Sequence, residues 1–112
     1  MASKTVKQGQ LPKRFLQFQR DYPKVYEAYK QLGETAKAAG PLDRKTRELV
    51  RLAIAVGARH EGAVHSHTRR ALESGLSAEE IRHAVLLSVT SIGFPNMMAA
   101  MSWIDDVLKP TR

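Results

Sequence analysis

The sequence has no cysteine among its 112 residues. This absence excludes disulfide bonds, thiolate metal sites and any redox cycle that depends on a cysteine of this chain. Long hydrophobic runs are missing as well. Arg51 interrupts the apolar stretch that begins at Leu49, and Gly93 and Pro95 break the one that follows Ala84. Neither stretch is suited to span a membrane, and the first ten residues lack the apolar core of a secretory signal. We therefore expect a cytoplasmic protein.

The basic charge of the chain is concentrated in its first half. The formal net charge is +7, and residues 1–47 hold 11 Lys and Arg against 4 Asp and Glu, whereas residues 48–112 hold 7 of each sign. The basic side chains are scattered and form no recognisable binding motif, which favours a solvated helix face over a nucleic-acid surface. A non-catalytic basic module that binds an acidic partner or nucleic acid stays open as an alternative function.

Length and composition predict one small helical domain. The chain is 43% hydrophobic and 26% charged, as in an ordinary soluble protein. We predict a mobile tail over residues 1–10 and a single domain over residues 11–112, with an all-α fold of about six helices, because no segment alternates with period two. A domain of this size has a limited core. Self-association would extend that core.

Capping and breaking signals give the bounds of these helices. Asp43 and Ser77 are predicted N-caps, and Gly57 and Gly75 are predicted to end helices. The third helix is apolar almost all round from Leu49 onward, so we expect it to be buried on most sides. The six predicted helices span residues 12–20, 23–38, 44–58, 61–74, 78–92 and 96–108.

Two histidines and a glutamate are candidate catalytic residues. If both are helical, His60 and His67 differ by only about 20° around a helix and point from one largely apolar face, with His65 on the opposite, solvated side. Glu48 shares a stripe with apolar residues of the preceding helix, where a partly desolvated carboxylate is suited to carry a proton. A simple ion pair with Arg44, Arg51 or Arg59 is the alternative role for Glu48.

A metal site is the competing interpretation of the same residues. Glu48, His60 and His67 form a ligand set that zinc or iron accepts. However, the two histidines are separated by about 10.5 Å of helical rise, so their nitrogens would hardly reach one ion. We expect no metal and no cofactor.

Three segments resemble the carboxymuconolactone decarboxylase and alkyl hydroperoxidase D-like family. They are residues 42–49 (LDRKTREL), 59–75 (RHEGAVHSHTRRALESG) and 77–81 (SAEEI). With the apolar helix after Glu48 and the break at Gly93, the resemblance covers residues 42–108, the family-like core. It implies an all-α, alkyl hydroperoxidase D-like helical bundle that assembles into homotrimers or homohexamers.

The resemblance also implies which chemistry is absent. Hydroperoxidase members use a Cys-x-x-Cys pair whose positions match His60 and Ala63, and a proton relay whose residues match Glu48 and His67. The relay is present here without the thiols. A peroxidase that needs a thiolate nucleophile and a resolving cysteine is therefore excluded, which disfavours an antioxidant role.

The decarboxylase branch of the family, a lyase, lacks the cysteine pair and keeps the histidine that matches His67. The resemblance thus implies a decarboxylation in which His67 protonates the carbon left behind. The N-terminus of the helix at 61–74, with Arg59 beside it, would hold the carboxylate of a small carboxylated or lactone-type substrate.

Overall fold

The computed structural model describes residues 12–108, so the predicted tail at residues 1–10 lies outside the described part. All regular structure in residues 12–108 is α-helical, which confirms the predicted fold class. Six helices have at least nine residues, and α6 is a single short turn. The helices are α1 (Lys13–Asp21), α2 (Pro23–Ala38), α3 (Arg44–Ala58), α4 (Glu61–Glu73), α5 (Ala78–Leu86), α6 (Val89–Ile92) and α7 (Phe94–Leu108).

The chain divides into two compact units, Met1–Pro41 and Leu42–Arg112. In the first unit, the rings of Phe15 on α1 and Tyr26 on α2 pack edge to face with their centroids 5.9 Å apart. Neither α1 nor α2 contains a buried residue. The second unit begins at the same residue as the predicted family-like core. A single domain over residues 11–112 stays a prediction.

The core of the second unit is built around α4, which packs against α3, α5 and α7. Val64 of α4 is fully buried, as are Leu52, Ile81 and Ile104 from the three neighbouring helices. Each such side chain contributes roughly 1.5–3 kcal/mol when it leaves water. The helices that position the candidate site are therefore held by a continuous apolar core.

The predicted N-caps are confirmed. Asp43 Oδ1 accepts a hydrogen bond from the backbone N–H of Thr46 at 2.9 Å, and these contacts hold the pKa of Asp43 below its usual value. Ser77 and Glu80 form a complete capping box at the start of α5. The backbone bond to Ser77 lowers the pKa of Glu80. Both caps satisfy N–H groups that helix geometry leaves unpaired.

Two predicted helix bounds are wrong, whereas the third helix ends at Ala58 as predicted. Gly57 lies inside its last turn, and the left-handed residue that closes the helix is Arg59, with φ of 56°. The helix predicted over residues 78–92 is two helices, since Ser88 turns both its N–H and its hydroxyl to the Val85 carbonyl. Finally, α7 begins before Asn96, because Pro95 fits the first turn of a helix.

One face of α3 is exposed, contrary to the expectation of burial on most sides. Val50 is 42% and Ile54 66% exposed, whereas Leu52, Ala55 and Val56 are buried. The reason is that α3 packs mainly on α4 and α5, which cover one side of it. No helix in residues 12–108 has both the length and the apolar character needed to cross a bilayer.

Candidate active site

The α3–α4 hairpin positions the candidate residues. Only Arg59 and His60 separate the two helices, and the N–H of His60 donates to the Ala55 carbonyl at 3.2 Å. Because the turn is tight, residues at equal distances from it lie at the same level of the two helices, and the charges of Arg51 and Glu48 on α3 act on His67. Arg51 and His67 lie eight residues before and after Arg59. The hairpin therefore brings polar side chains of α3 to His67.

Glu48 is a buried carboxylate with incomplete partners. The residue is 5% exposed, its Oε2 lies 3.6 Å from Nη1 of Arg51, and its Oε1 has no hydrogen-bond partner. The hydroxyl of Thr68, which is also buried, donates to the Val64 carbonyl at 2.6 Å. The ion pair that the sequence left open is thus formed with Arg51. Its distance exceeds that of a charge-assisted hydrogen bond.

His67 is half-buried beside these charges, and its Nδ1 has no hydrogen-bond partner. Burial lowers the pKa of His67 below its usual 6.5, and the positive charges of Arg51 and Arg70 lower it further, while Glu48 opposes them. Desolvation and neighbouring cations both disfavour the imidazolium. His67 is therefore neutral at pH 7 in the ligand-free protein.

His60 has a different position from the one predicted. It precedes α4 as its N-cap, and its exposed ring accepts a hydrogen bond at Nδ1 from the N–H of Ala63 at 3.1 Å. Because Nδ1 accepts, the proton of the neutral ring is on Nε2. His60 and His67 therefore do not share a helical stripe, since that prediction required both to be helical.

Arg59, predicted to hold a substrate carboxylate, also has a partner within the chain. Its guanidinium donates to Oδ1 of Asn96 on α7 at 3.2 Å. The structure thus brings together Glu48 and His67, and it places Arg59 and His60 at the exposed turn of the same hairpin.

Arg51 is the residue at this site whose importance the sequence analysis missed. It was considered only as a possible ion-pair partner. Its Nη1 is buried without a hydrogen-bond partner, next to the carboxylate of Glu48. The signal was present in the sequence, because Arg51 interrupts an otherwise apolar stretch, and a charged residue there requires a polar environment.

A second polar cluster lies where α4 meets α7. Nε2 of His65 is 2.9 Å from Oδ2 of Asp106 and 3.8 Å from Oε2 of Glu61, so His65 is paired rather than solvated. Their ligand atoms lie within 4.8 Å of one another. Within residues 12–108, Glu48, His60 and His67 do not form a group of this kind. Because both carboxylates of the second cluster are exposed, an ordinary surface ion pair accounts for it.

An apolar cleft of about 420 Å³ lies on another side of α3. Leu49, Ala53 and Gly57 form one wall, and residues of α5 and α6 form the other. No titratable side chain lines this cleft. It offers space for apolar groups but no acid or base, so we place the candidate chemistry at Glu48 and His67.

The sequence also matches known proteins. Residues 23–106 match the sequence profile of the carboxymuconolactone decarboxylase family. An uncharacterized protein of Methanocaldococcus jannaschii is 30% identical over 88 residues, which cover 79% of this chain and 82% of that protein. An uncharacterized protein of Haemophilus influenzae is 42% identical over 59 residues, which cover 53% of this chain and 52% of that protein.

One relative is named for an activity: the nitrosuccinic acid decarboxylase of Metarhizium robertsii is 38% identical over 60 residues. The match covers 54% of this chain and 42% of that enzyme, so the chain spans about half the length or less of this relative and the Haemophilus one. Among solved structures, a carboxymuconolactone decarboxylase family protein from Legionella pneumophila superposes with a TM-score of 0.74 over 88% of both chains. At 23% identity, this likeness shows a shared fold.

Proposed function

This chain belongs to the carboxymuconolactone decarboxylase family, and on that premise we propose that it decarboxylates a small carboxylated substrate of the lactone type by cofactor-independent acid/base chemistry. The observation that carries the proposal is that the buried Glu48 and the half-buried His67, whose pKa responds to the charge of Glu48, lie at one site. Each has a polar atom removed from water and without a hydrogen-bond partner. Buried polar groups are normally satisfied within a protein, so such atoms favour a role toward a ligand.

The residues have distinct roles in the proposed reaction. The bond between the carboxylate and its neighbouring carbon breaks, CO2 leaves, and the electron pair stays on the carbon, delocalised into an adjacent electron-withdrawing group. The imidazolium of His67 gives its proton to that carbon, forming the new C–H bond. Glu48 then helps to return a proton from solvent to the neutral imidazole.

Two comparisons support this reaction class. The family is named after a decarboxylase, and the Metarhizium relative is named a nitrosuccinic acid decarboxylase. Both names describe loss of CO2 from a small acid. Because none of the 112 residues is a cysteine, the chain has no thiolate for thiol peroxidase chemistry.

The proposal is tested by measuring CO2 release from a panel of lactone carboxylic acids and nitro-substituted carboxylic acids. We expect release from at least one panel member with the wild-type protein, and a loss of about a hundredfold or more in His67→Gln. His83→Gln, which changes an exposed histidine on α5, is the matched control and should keep full turnover. No CO2 release from any acid, or thiol-dependent peroxide consumption above that of buffer, would contradict the proposal.

We also propose that the chain self-associates, as a homotrimer or homohexamer, through the exposed face of α3. Large apolar side chains at the surface favour an interface, and Ile54 and Val50 on this face are 66% and 42% exposed. Light scattering coupled to size-exclusion chromatography should give a mass that is a multiple of 12.5 kDa. Ile54→Asp should reduce that mass, whereas Glu27→Gln on α2 should not. A wild-type monomer would contradict this proposal.

A further inference from the structure

His67, the acid in the proposed reaction, is neutral in the ligand-free protein at neutral pH, so it lacks the second ring proton that the reaction consumes. Burial, Arg51 and Arg70 all lower the pKa of His67, and Glu48 alone opposes them. A group that donates a proton in each turnover must be charged when the substrate is in place. A substrate that adds negative charge beside His67 would favour that charged form.

Arg51 is placed to receive a group with this negative charge. Its side chain is 29% exposed, yet its Nη1 is buried and makes no hydrogen bond. The carboxylate of Glu48 lies 3.6 Å away, beyond the roughly 2.7–2.9 Å of a charge-assisted hydrogen bond. A guanidinium in this state retains donors for a second anion, and a carboxylate matches its planar geometry.

The charged groups of α7 are engaged elsewhere. On α7, Asp106 pairs with His65, and Asp105 accepts hydrogen bonds from Arg82 of α5 at 3.1 and 3.2 Å. The charges that act on His67 are Glu48 and Arg51 from α3 and Arg70 from α4 itself. With a neutral His67, this set carries a net positive charge, which an anion would offset.

Building on the proposed function, we propose that Arg51 binds the carboxylate of the substrate beside His67, and that the bound anion holds on His67 the proton that the reaction consumes. The negative charge of the substrate offsets Arg51 and Arg70, and it attracts the proton. Coupling of this kind is reciprocal, so protonation of His67 also tightens the binding of the anion. The role assigned to Arg59 by the sequence thus passes to Arg51.

The test uses succinate as the anionic probe and succinamide as its neutral counterpart. Imidazole signals are followed by NMR across pH, and the signal of His67 is identified by its absence in His67→Gln. We expect succinate, but not succinamide, to move the titration midpoint of His67 upward. Succinate should also bind more tightly at pH 5.5 than at pH 8, values chosen on either side of the ordinary histidine pKa of about 6.5.

Variants assign the anion to its residue. Arg51→Gln should weaken succinate binding about tenfold or more, because a hydrogen-bonded charge pair is lost. Arg51→Lys should fall between this variant and the wild type, since it keeps the charge but not the fork of donors. Arg69→Gln, a neighbouring arginine on α4, should bind succinate within about twofold of the wild type. Circular dichroism establishes that each variant is helical.

Several outcomes would overturn the inference. They are a wild type that does not bind succinate, an Arg51→Lys protein that binds it as tightly as the wild type does, and a His67 midpoint that succinate does not move. The inference would also be overturned if Arg59→Gln lost affinity for succinate while Arg51→Gln kept it, because Arg59 would then be the residue that binds the carboxylate. If succinate binds through Arg51 while no acid of the panel releases CO2, the proposed function fails and the anion site stands. If an acid of the panel releases CO2 while Arg51→Gln binds succinate as tightly as the wild type does, the anion site fails and the proposed function stands.

Discussion

The middle and the turn of the α3–α4 hairpin differ in how fully their polar groups are satisfied. In the middle, Glu48, Arg51 and His67 each bury a polar atom that has no hydrogen-bond partner. At the turn, Arg59 donates to Asn96, and the ring of His60 accepts from the helix that follows it. At the exposed turn these polar groups have hydrogen-bond partners, whereas in the middle of the hairpin the buried polar atoms lack them.

This difference indicates which part of the hairpin is organised for a ligand. An unpaired polar group in the interior costs about 1–3 kcal/mol, so it destabilises the fold unless something else needs it. Polar groups at an exposed turn can reach water, and here they also stabilise the helix start. We therefore interpret the middle as the reactive part of the hairpin and the turn as a structural part. The predictions below test that division.

After His67→Gln, the largest expected effect is that of Glu48→Gln on turnover. A neutral amide cannot relay a proton to His67, so CO2 release should fall about a hundredfold. The free energy of unfolding should not fall, because an amide is less costly to bury than a carboxylate with an unpaired oxygen, and Arg51, whose side chain is 29% exposed, keeps access to water. Glu79→Gln, an exposed glutamate of α5, is the control for both measurements.

A parallel loss of turnover and stability in Glu48→Gln would contradict the division. It would mean that the ion pair with Arg51 holds α3 in place and that its effect on turnover is indirect. Chemical denaturation monitored by circular dichroism distinguishes the two outcomes.

A smaller effect is expected at His60, and two substitutions separate its possible roles. His60→Ala removes the N-cap of α4 and should lower the free energy of unfolding by about 1 kcal/mol. His60→Asn retains a side-chain acceptor at the cap and should keep both stability and turnover. If His60→Asn is stable but inactive, His60 takes part in the chemistry, as the sequence predicted, and the turn belongs to the reactive part.

The pH dependence of stability tests the environment of His67. Its pKa in the folded protein lies below the usual 6.5, so between those two values the unfolded chain binds more protons than the folded one. The contribution of His67 to the free energy of unfolding is fully present above pH 6.5, and it is lost as the pH falls through the pKa of His67 in the folded protein. Wild type should therefore lose unfolding free energy relative to His67→Gln over this range. Equal losses in the two proteins would show that His67 is not in a desolvated, cationic environment.

The sequence predicted the helices better than it predicted the site. Proline, glycine and capping residues act locally, so Asp43 and Ser77 marked helix starts correctly. Glu48 and His67 were predicted as candidates because a polar residue on an apolar stripe is visible in the sequence, and their role stays a prediction. Arg51 was missed because its importance depends on the residue it faces across the hairpin. His60 was placed on a helical stripe because only the structure shows that its ring caps the helix.

The smallest expected effect concerns Arg59, and it decides whether the turn has any part in binding. Arg59 adopts a left-handed backbone with φ of 56°, which costs a non-glycine residue about 1–2 kcal/mol. Arg59→Gly removes that strain but gains flexibility in the unfolded chain and loses the bond to Asn96. The protein should gain about 0.5 kcal/mol or less in thermal or chemical unfolding.

Arg59→Gln removes the guanidinium and keeps the strained backbone, so it reports on binding alone. Because Arg59 already has a partner on α7, we expect Arg59→Gly and Arg59→Gln to share the KM of the wild type for any acid that the protein decarboxylates. An increase of about tenfold in KM for both variants would show that the turn supplies the carboxylate contact. Arg59 would then belong to the reactive part of the hairpin, with Glu48 and His67. Its hydrogen bond to Asn96 would be one that the substrate carboxylate replaces on binding.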